Sequence, residues 1–157
     1  ESFFESVIAQ GRIYTKNDVI YCRYIFDLSE DPMKSSILKI EGNSYKELIK
    51  DVRDFAMVGD YIICSNQFAA PEVPDVGNEG GGYREEYSLN VYDLNGNFIK
   101  NLDKELYEKY DILAFPDSIA INSSGYGVMS GDFVYNHGKE NWYGFSGMII
   151  FKLVEGK

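Results

Sequence analysis

Three segments of this chain can be set under one another: DVIYCRYIF (18–26), DYIICSNQF (60–68) and GYGVMSGDF (125–133). Cys22, Cys64 and Met129 then coincide, as do Phe26, Phe68 and Phe133. A second set, ILKIEGNSY (37–45), NVYDLNGNF (90–98) and IIFKLVEGK (149–157), aligns with one residue of slip. Each of these is an apolar run that reaches a glycine turn. An internal repeat constrains a fold more than any local propensity does, because every copy is one supersecondary unit that must bury a face against its neighbours. The Cys22, Cys64 and Met129 positions lie 42 and then 65 residues apart, the longer interval carrying insertions.

Each first-set segment is preceded by a further strand and a turn: GRIYT before Lys16-Asn17-Asp18, DFAMV before Gly59-Asp60, and DSIAIN before Ser123-Ser124-Gly125. In the second set, Asn95-Gly96 stands between the apolar runs NVYDL and FIKNL, and its tolerance of positive φ marks a β-hairpin. An EF-hand reading of DLNGN fails, because the calcium loop needs Gly at its sixth position and Glu at its twelfth. Four strands per repeat, in up-and-down antiparallel order at a period near 42 residues, describe an all-β chain of propeller-like blades. The runs VIYCRYIF, YIIC and MIIF are nearly continuous in apolar residues, which predicts strands covered on both faces. A lipocalin-like barrel should instead alternate apolar with polar positions. The expectation is therefore a partial β-propeller in a single domain, 1–157, with repeats at 1–54, 55–102 and 103–157. Two stretches compete with it. SYKELIKDV has capping-box spacing at Ser44 and Glu47 and places Tyr45, Leu48, Ile49 and Val52 on one helical face, so helix and strand both remain open there. LDKELYEKYDIL (102–113), with Asp103 as a possible cap, predicts a short helix in a connection.

The outer hairpin VYDLNGNFIKNL, followed by FPDSIAINSSGYGVM, resembles the NHL-type and TolB-like propeller repeats. In those an "apolar-Asp-x-Asn/Asp-Gly-x-apolar" hairpin alternates with an inner pair of apolar strands. The resemblance covers almost the whole chain through generic motifs, and it implies a mostly six-bladed, often exported protein. Three repeats depart from that pattern, since closed propellers take about 4 to 8 blades. The third repeat stops at Glu155-Gly156-Lys157, in its last turn. A dimer that completes the ring, or further blades in a longer protein, is the implied remedy. The chain begins with Glu1 and shows no charged start followed by an apolar stretch. A removed signal peptide and a piece of a longer protein both fit that start. An extracytoplasmic location (periplasmic, cell surface or secreted) follows from the resemblance.

Strand parity places the long connections. DLSEDPMKSS (27–36), the segment 66–86, DKELYEKYDILAFPD (103–117) and GDFVYNHGKENWYGFS (131–146) share one edge, while the turns at the other edge are short. Long loops on a rigid scaffold carry binding chemistry. These four segments hold fifteen of the 25 acids but five of the 15 bases, so the whole net charge of −10 belongs to them. Such a face attracts cations or a basic partner and repels polyanions, and the net charge argues against nucleic acid, whose phosphates reward Lys and Arg. No apolar run approaches the ~20 residues of a membrane span.

Within the long segments, Tyr83, Trp142 and Tyr143 are candidate stacking residues for a glycan or a peptide, because a flat ring with a polar tip suits such ligands. His137, in NHGKENWYG, is the only histidine, which rules out a two-histidine metal site within one chain. It joins the ligand-binding candidates. Glu79, Glu85 and Glu86 lie in the glycine-rich 66–86 segment and are the candidate ligands of a calcium ion, the one cofactor considered. No G-x-S-x-G elbow is present. Cys22 and Cys64 occupy equivalent strand positions and are expected as packed free thiols. The functional expectation is a non-catalytic binding or scaffold module with a protein or glycan ligand. The alternative is part of a propeller hydrolase or lyase acting on a glycan or small ester, with Asp or Glu and His137 as acid and base.

Overall fold

The computed structural model describes residues 8–27, 34–66, 88–135 and 143–153, and they form eleven strands and one helix. The first unit is an antiparallel sheet of β1 (Ile8–Lys16), β2 (Val19–Asp27), β3 (Lys34–Glu41) and β4 (Ser44–Lys50), in that spatial order. The second is β5 (Val52–Val58), β6 (Tyr61–Asn66), β7 (Ser88–Asp93) and β8 (Phe98–Asn101), again in sequence order. The third holds β9 (Ile112–Ile121), β10 (Tyr126–Tyr135) and β11 (Tyr143–Lys152), with β10 in the middle. The helix α1 (Leu102–Tyr110) connects the second unit to the third. The chain is all-β, built from up-and-down antiparallel units like part of a propeller.

Local chemistry accounts for the hairpins. Asn17 and Asp18 both take positive φ, 51° and 62°, as the tightest hairpin turns require. At Asn95-Gly96 the carboxylate of Asp93 accepts from the amides of Asn95 and Asn97, both at 2.8 Å, and Gly96 sits at φ 81°. The β9–β10 turn repeats that arrangement with an amide side chain. Asn122 Oδ1 accepts from the amides of Ser124 (2.9 Å) and Tyr126 (3.0 Å), and Gly125 has φ 80°. A side-chain oxygen that satisfies two turn amides fixes the loop without tertiary help.

The second sheet lies between the other two. Toward the first it presents Val52, Phe55, Ile62 and Cys64, which pack with Val19, Tyr21, Ile37 and Ile49. Toward the third it presents Ala56, Ile63, Leu89 and Val91, which pack with Ala114, Ile119, Met129 and Phe133. Alternation along β6 therefore buries Ile62 on one side and Ile63 on the other, and the apolar run YIIC is covered on both faces as expected. The run MIIF is not. Ile149 and Phe151 pack toward the second sheet, but Met148 is 72 % exposed and Ile150 82 %. No described element covers that side of β11, so its apolar run faces outward.

The leading strands of the three units meet. Arg12 of β1 reaches Asp54 of β5 at 3.9 Å and donates to Ser118 Oγ of β9 at 3.2 Å, while the amide of Ile119 donates to Asp54 Oδ2 at 2.8 Å. Arg12, Asp54 and Ser118 hold the same register position, each preceding the residue paired with Cys22, Cys64 or Met129. Leading strands drawn together while the later strands fan away is the blade geometry that the repeat implied.

One open choice is settled and two expectations change. SYKELIK is the strand β4, not a helix, because pairing with β3 (Ile40 with Tyr45, Ile37 with Ile49) sends Ile49 into the core and leaves Tyr45 exposed. The helix at 102 forms, but its N-cap is Asn101, whose side chain accepts from the Lys104 amide at 3.0 Å. Asp103 is instead buried in the first turn. Much of the segments 103–117 and 131–146 is strand: β9 begins at Ile112, and β10 and β11 pair continuously from Tyr126 with Lys152 to Tyr135 with Tyr143. The longer strands need a bulge at Ser130/Gly131. There a Cβ on Gly131 would collide with the Phe115 carbonyl oxygen.

Candidate functional site

The long connections after β2, β6 and β10 leave from one end of the sheets, the end at which β3, β7 and β11 begin. Two groups of side chains stand there among the described residues. The first is aromatic. Phe133 and Tyr135 near the end of β10 pair in register with Phe145 and Tyr143 at the start of β11. Their rings form a strip, with centroids 5.4 Å apart for Phe133–Phe145 and for Tyr135–Tyr143, and 6.2 Å for Tyr143–Phe145. Phe133 is the buried root, fully enclosed in the core. Tyr143 (55 % exposed) and Phe145 (39 %) are the open end. Pairing across the ladder sets the rings, because directly opposed residues on one face of an antiparallel pair are close enough for their side chains to touch.

The second group is a polar knot. Asn66 closes β6, Ser88 opens β7, and Asn101 caps α1. Asn90 Nδ2 donates to Asn66 Oδ1 at 2.9 Å, Asn101 Nδ2 donates to Asn90 Oδ1 at 2.9 Å, and the Tyr92 hydroxyl donates to Asn66 Oδ1 at 3.2 Å. Asp103 sits under them, 3 % exposed. Its Oδ2 accepts from the Leu89 amide (2.7 Å), Asn101 Nδ2 (2.9 Å) and Ser88 Oγ (3.2 Å), while Oδ1 has no partner. Burial raises the Asp103 carboxyl to about 6 against those stabilising bonds, since desolvation disfavours the charged form. Burial likewise pushes the Tyr92 phenol up to about 12. The knot anchors α1 to β7 and closes the top of the core.

Of the residues singled out from the sequence, Tyr143 lies in β11 within the aromatic strip. Tyr83, Trp142, His137, Glu79, Glu85 and Glu86 lie outside the described residues. Among the described residues no group of three or more His, Cys, Asp or Glu side chains is placed to hold a metal ion. The acidic surplus of the long segments is partly answered locally. Asp117 pairs with Arg53 at 2.7 Å, Glu105 with Lys100 at 3.0 Å, and Asp103 is buried. Cys22 and Cys64 are free and buried, and burial raises both thiols.

Sequence reasoning did not single out Phe145, Tyr135 or the Asn66–Asp103 knot. A signal existed for the strip: aromatic residues two apart on both sides of the 136–142 connection, Phe133 and Tyr135 before it and Tyr143 and Phe145 after it. At the opposite end, a groove of about 660 Å³ opens between the second and third sheets, lined by Val58, Tyr61, Ile63, Ile99, Lys100 and Ser124 among others. Comparisons with protein-family models, with curated proteins and with solved structures gave no match.

Proposed function

We propose that this chain is a non-catalytic binding module of an exported propeller-like protein, which holds a glycan or protein ligand at the long-loop end. The aromatic strip Tyr135–Tyr143–Phe145, in which Tyr143 and Phe145 are exposed and Tyr135 is half-buried, carries this reading. Flat rings rooted on a rigid ladder offer contact area at little conformational cost, and the tyrosine hydroxyls add a polar tip. The strip favours an aromatic platform over the acidic-face alternative, because three of the described acids of the long segments are withdrawn from it: Asp103 is buried, and Glu105 and Asp117 are paired with bases. Calcium at Glu79, Glu85 and Glu86 would be an addition to this platform and not its basis.

An enzymatic reading draws on Asp103, whose raised carboxyl has the character of a general acid. Its bonded oxygen is taken up by Leu89, Ser88 and Asn101, which suits anchoring better than proton transfer. A glycan array followed by titration calorimetry on any hit tests the binding reading. Tyr143→Ala and Phe145→Ala should each weaken binding about tenfold, in line with ~1 to 1.5 kcal/mol for a ring contact, without lowering the unfolding temperature appreciably. Retained affinity in both variants would remove the platform.

A further inference from the structure

The outer face of the third sheet is open, and its side chains form a row. Met129, Phe133, Ile149 and Phe151 pack toward the second sheet, so alternation turns their neighbours the other way. Facing outward are Tyr126, Val128, Ser130 and Asp132 of β10, paired in order with Lys152, Ile150, Met148 and Ser146 of β11. Met148 and Ile150, in the middle, are largely exposed. The outer side of the first sheet is already closed over Cys22, Leu38 and Ser36, all buried, and offers no matching open surface.

Charge gives the row a direction. Asp132 stands toward the long-loop end, its carboxylate accepting from Ser146 Oγ. Lys152 stands at the short-turn end, with Nζ 4.7 Å from the centre of the Tyr126 ring. Neither has a salt-bridge partner among the described residues. The two ends lie about 20 Å apart, at ~3.3 Å per residue along the strand, with the pairs Val128–Ile150 and Ser130–Met148 between them. Turned end for end, the row meets its own complement. Lys152 then reaches Asp132 at both ends, and Ile150 meets Met148 in the middle.

The faces that stack within the chain lack this polarity. At the position of Lys152 they carry acids, Glu41 opposite Val19 on the first sheet and Asp93 opposite Tyr61 on the second. At the position of Asp132, opposite a serine in both cases, the first sheet has the buried Ile25. A further unit stacked in the manner of these three would meet a base where the stacking faces have an acid. It would also cover Asp132 where the first sheet buries isoleucine.

We propose that the outer face of the third sheet docks on the same face of a second copy of this chain, about a two-fold axis between the Val128–Ile150 and Ser130–Met148 pairs. An isologous contact needs one self-complementary patch, and this face supplies opposite charges at its ends with apolar side chains between. Two sheets packed face to face cover Met148 and Ile150 of both copies. Tyr143 and Phe145 share the side of Ile149 on β11, so the contact leaves both aromatic strips free.

The test uses Lys152→Asp and Asp132→Lys, each alone and in an equimolar mixture, with mass read by light scattering after gel filtration at several concentrations. The parent should be a dimer. Either variant alone sets like charges against each other at both ends of the contact, and should dimerise at least tenfold more weakly, since like charges across an interface repel. The mixture opposes a face with two acids to a face with two bases, and should recover the dimer as a heterodimer. Both positions are exposed, so each variant folds as the parent does, which circular dichroism checks. A parent that stays monomeric at every concentration, as it would where a further repeat covers this face, would overturn the proposal. So would single variants that dimerise like the parent, or a mixture that stays monomeric.

Discussion

Asp103 shows how one side chain can set a pH dependence. Its folded carboxyl, raised to about 6, lies above the ordinary value of 3.8. The native state therefore holds a proton that the unfolded chain releases first. Stability from this group is complete below about pH 4 and is lost as pH rises through about 6, by on the order of 2 to 3 kcal/mol. Urea unfolding at pH 4.5 and 7.5 should show that loss in the parent and a clearly smaller one in Asp103→Asn; equal losses would remove Asp103 as the cause. Gly131 gives a second residue-scale prediction. Because a Cβ there meets the Phe115 carbonyl, Gly131→Ala should cost about 2 kcal/mol or more, the scale of overpacking in a closed site. A cost below half that in denaturant titration would mean that the bulge yields. Neither feature was legible in the sequence. Asp103 reads as a helix cap by type and position, and only the Asn101 bond to Lys104 shows that the cap lies two residues earlier.

At the scale of elements, the hairpins were legible because their turns carry their own chemistry, as at Asn95-Gly96. The segment at 44–50 was ambiguous for a physical reason. Ser44 and Glu47 satisfy a capping box, Tyr45, Leu48 and Ile49 satisfy a helical face, and only pairing with β3 decides the matter. Tertiary context overrides such local preferences routinely. The strand β11 was misread in the other direction, since a continuous apolar run looks the same whether or not a neighbouring sheet is present. For α1, Asn101→Ala removes the cap and the Nδ2 contacts to Ser88, Asn90 and Asp103, and should destabilise by about 1 to 3 kcal/mol. Thermal unfolding checks this, and an unchanged midpoint would contradict the anchoring role. For β2 and β6, the buried thiols of Cys22 and Cys64 should react with a thiol reagent at the rate of unfolding, so mild denaturant should accelerate labelling. Fast labelling of Cys64 in the native protein would contradict its place between the first two sheets.

At the scale of the whole molecule, the repeat was the legible part, and it fixed the order of strands and the coincidence of Cys22, Cys64 and Met129 on one side of each unit. The aligned side chains face the preceding sheet in the second and third units, and in the first unit they face outward. What the repeat alone could not show was that the two outward faces differ in cover: Met148 and Ile150 of the third sheet are 72 % and 82 % exposed, while Cys22 and Leu38 of the first are 5 % and 4 %. Exposed apolar faces of this kind are ordinarily covered in solution. The most direct test is the mass of the protein by light scattering coupled to gel filtration, over a range of loading concentrations. The parent should run at twice the 17.9 kDa chain mass, and Ile150→Lys at 17.9 kDa with an unchanged circular dichroism spectrum. A parent that stays at 17.9 kDa across the whole concentration range would contradict the account.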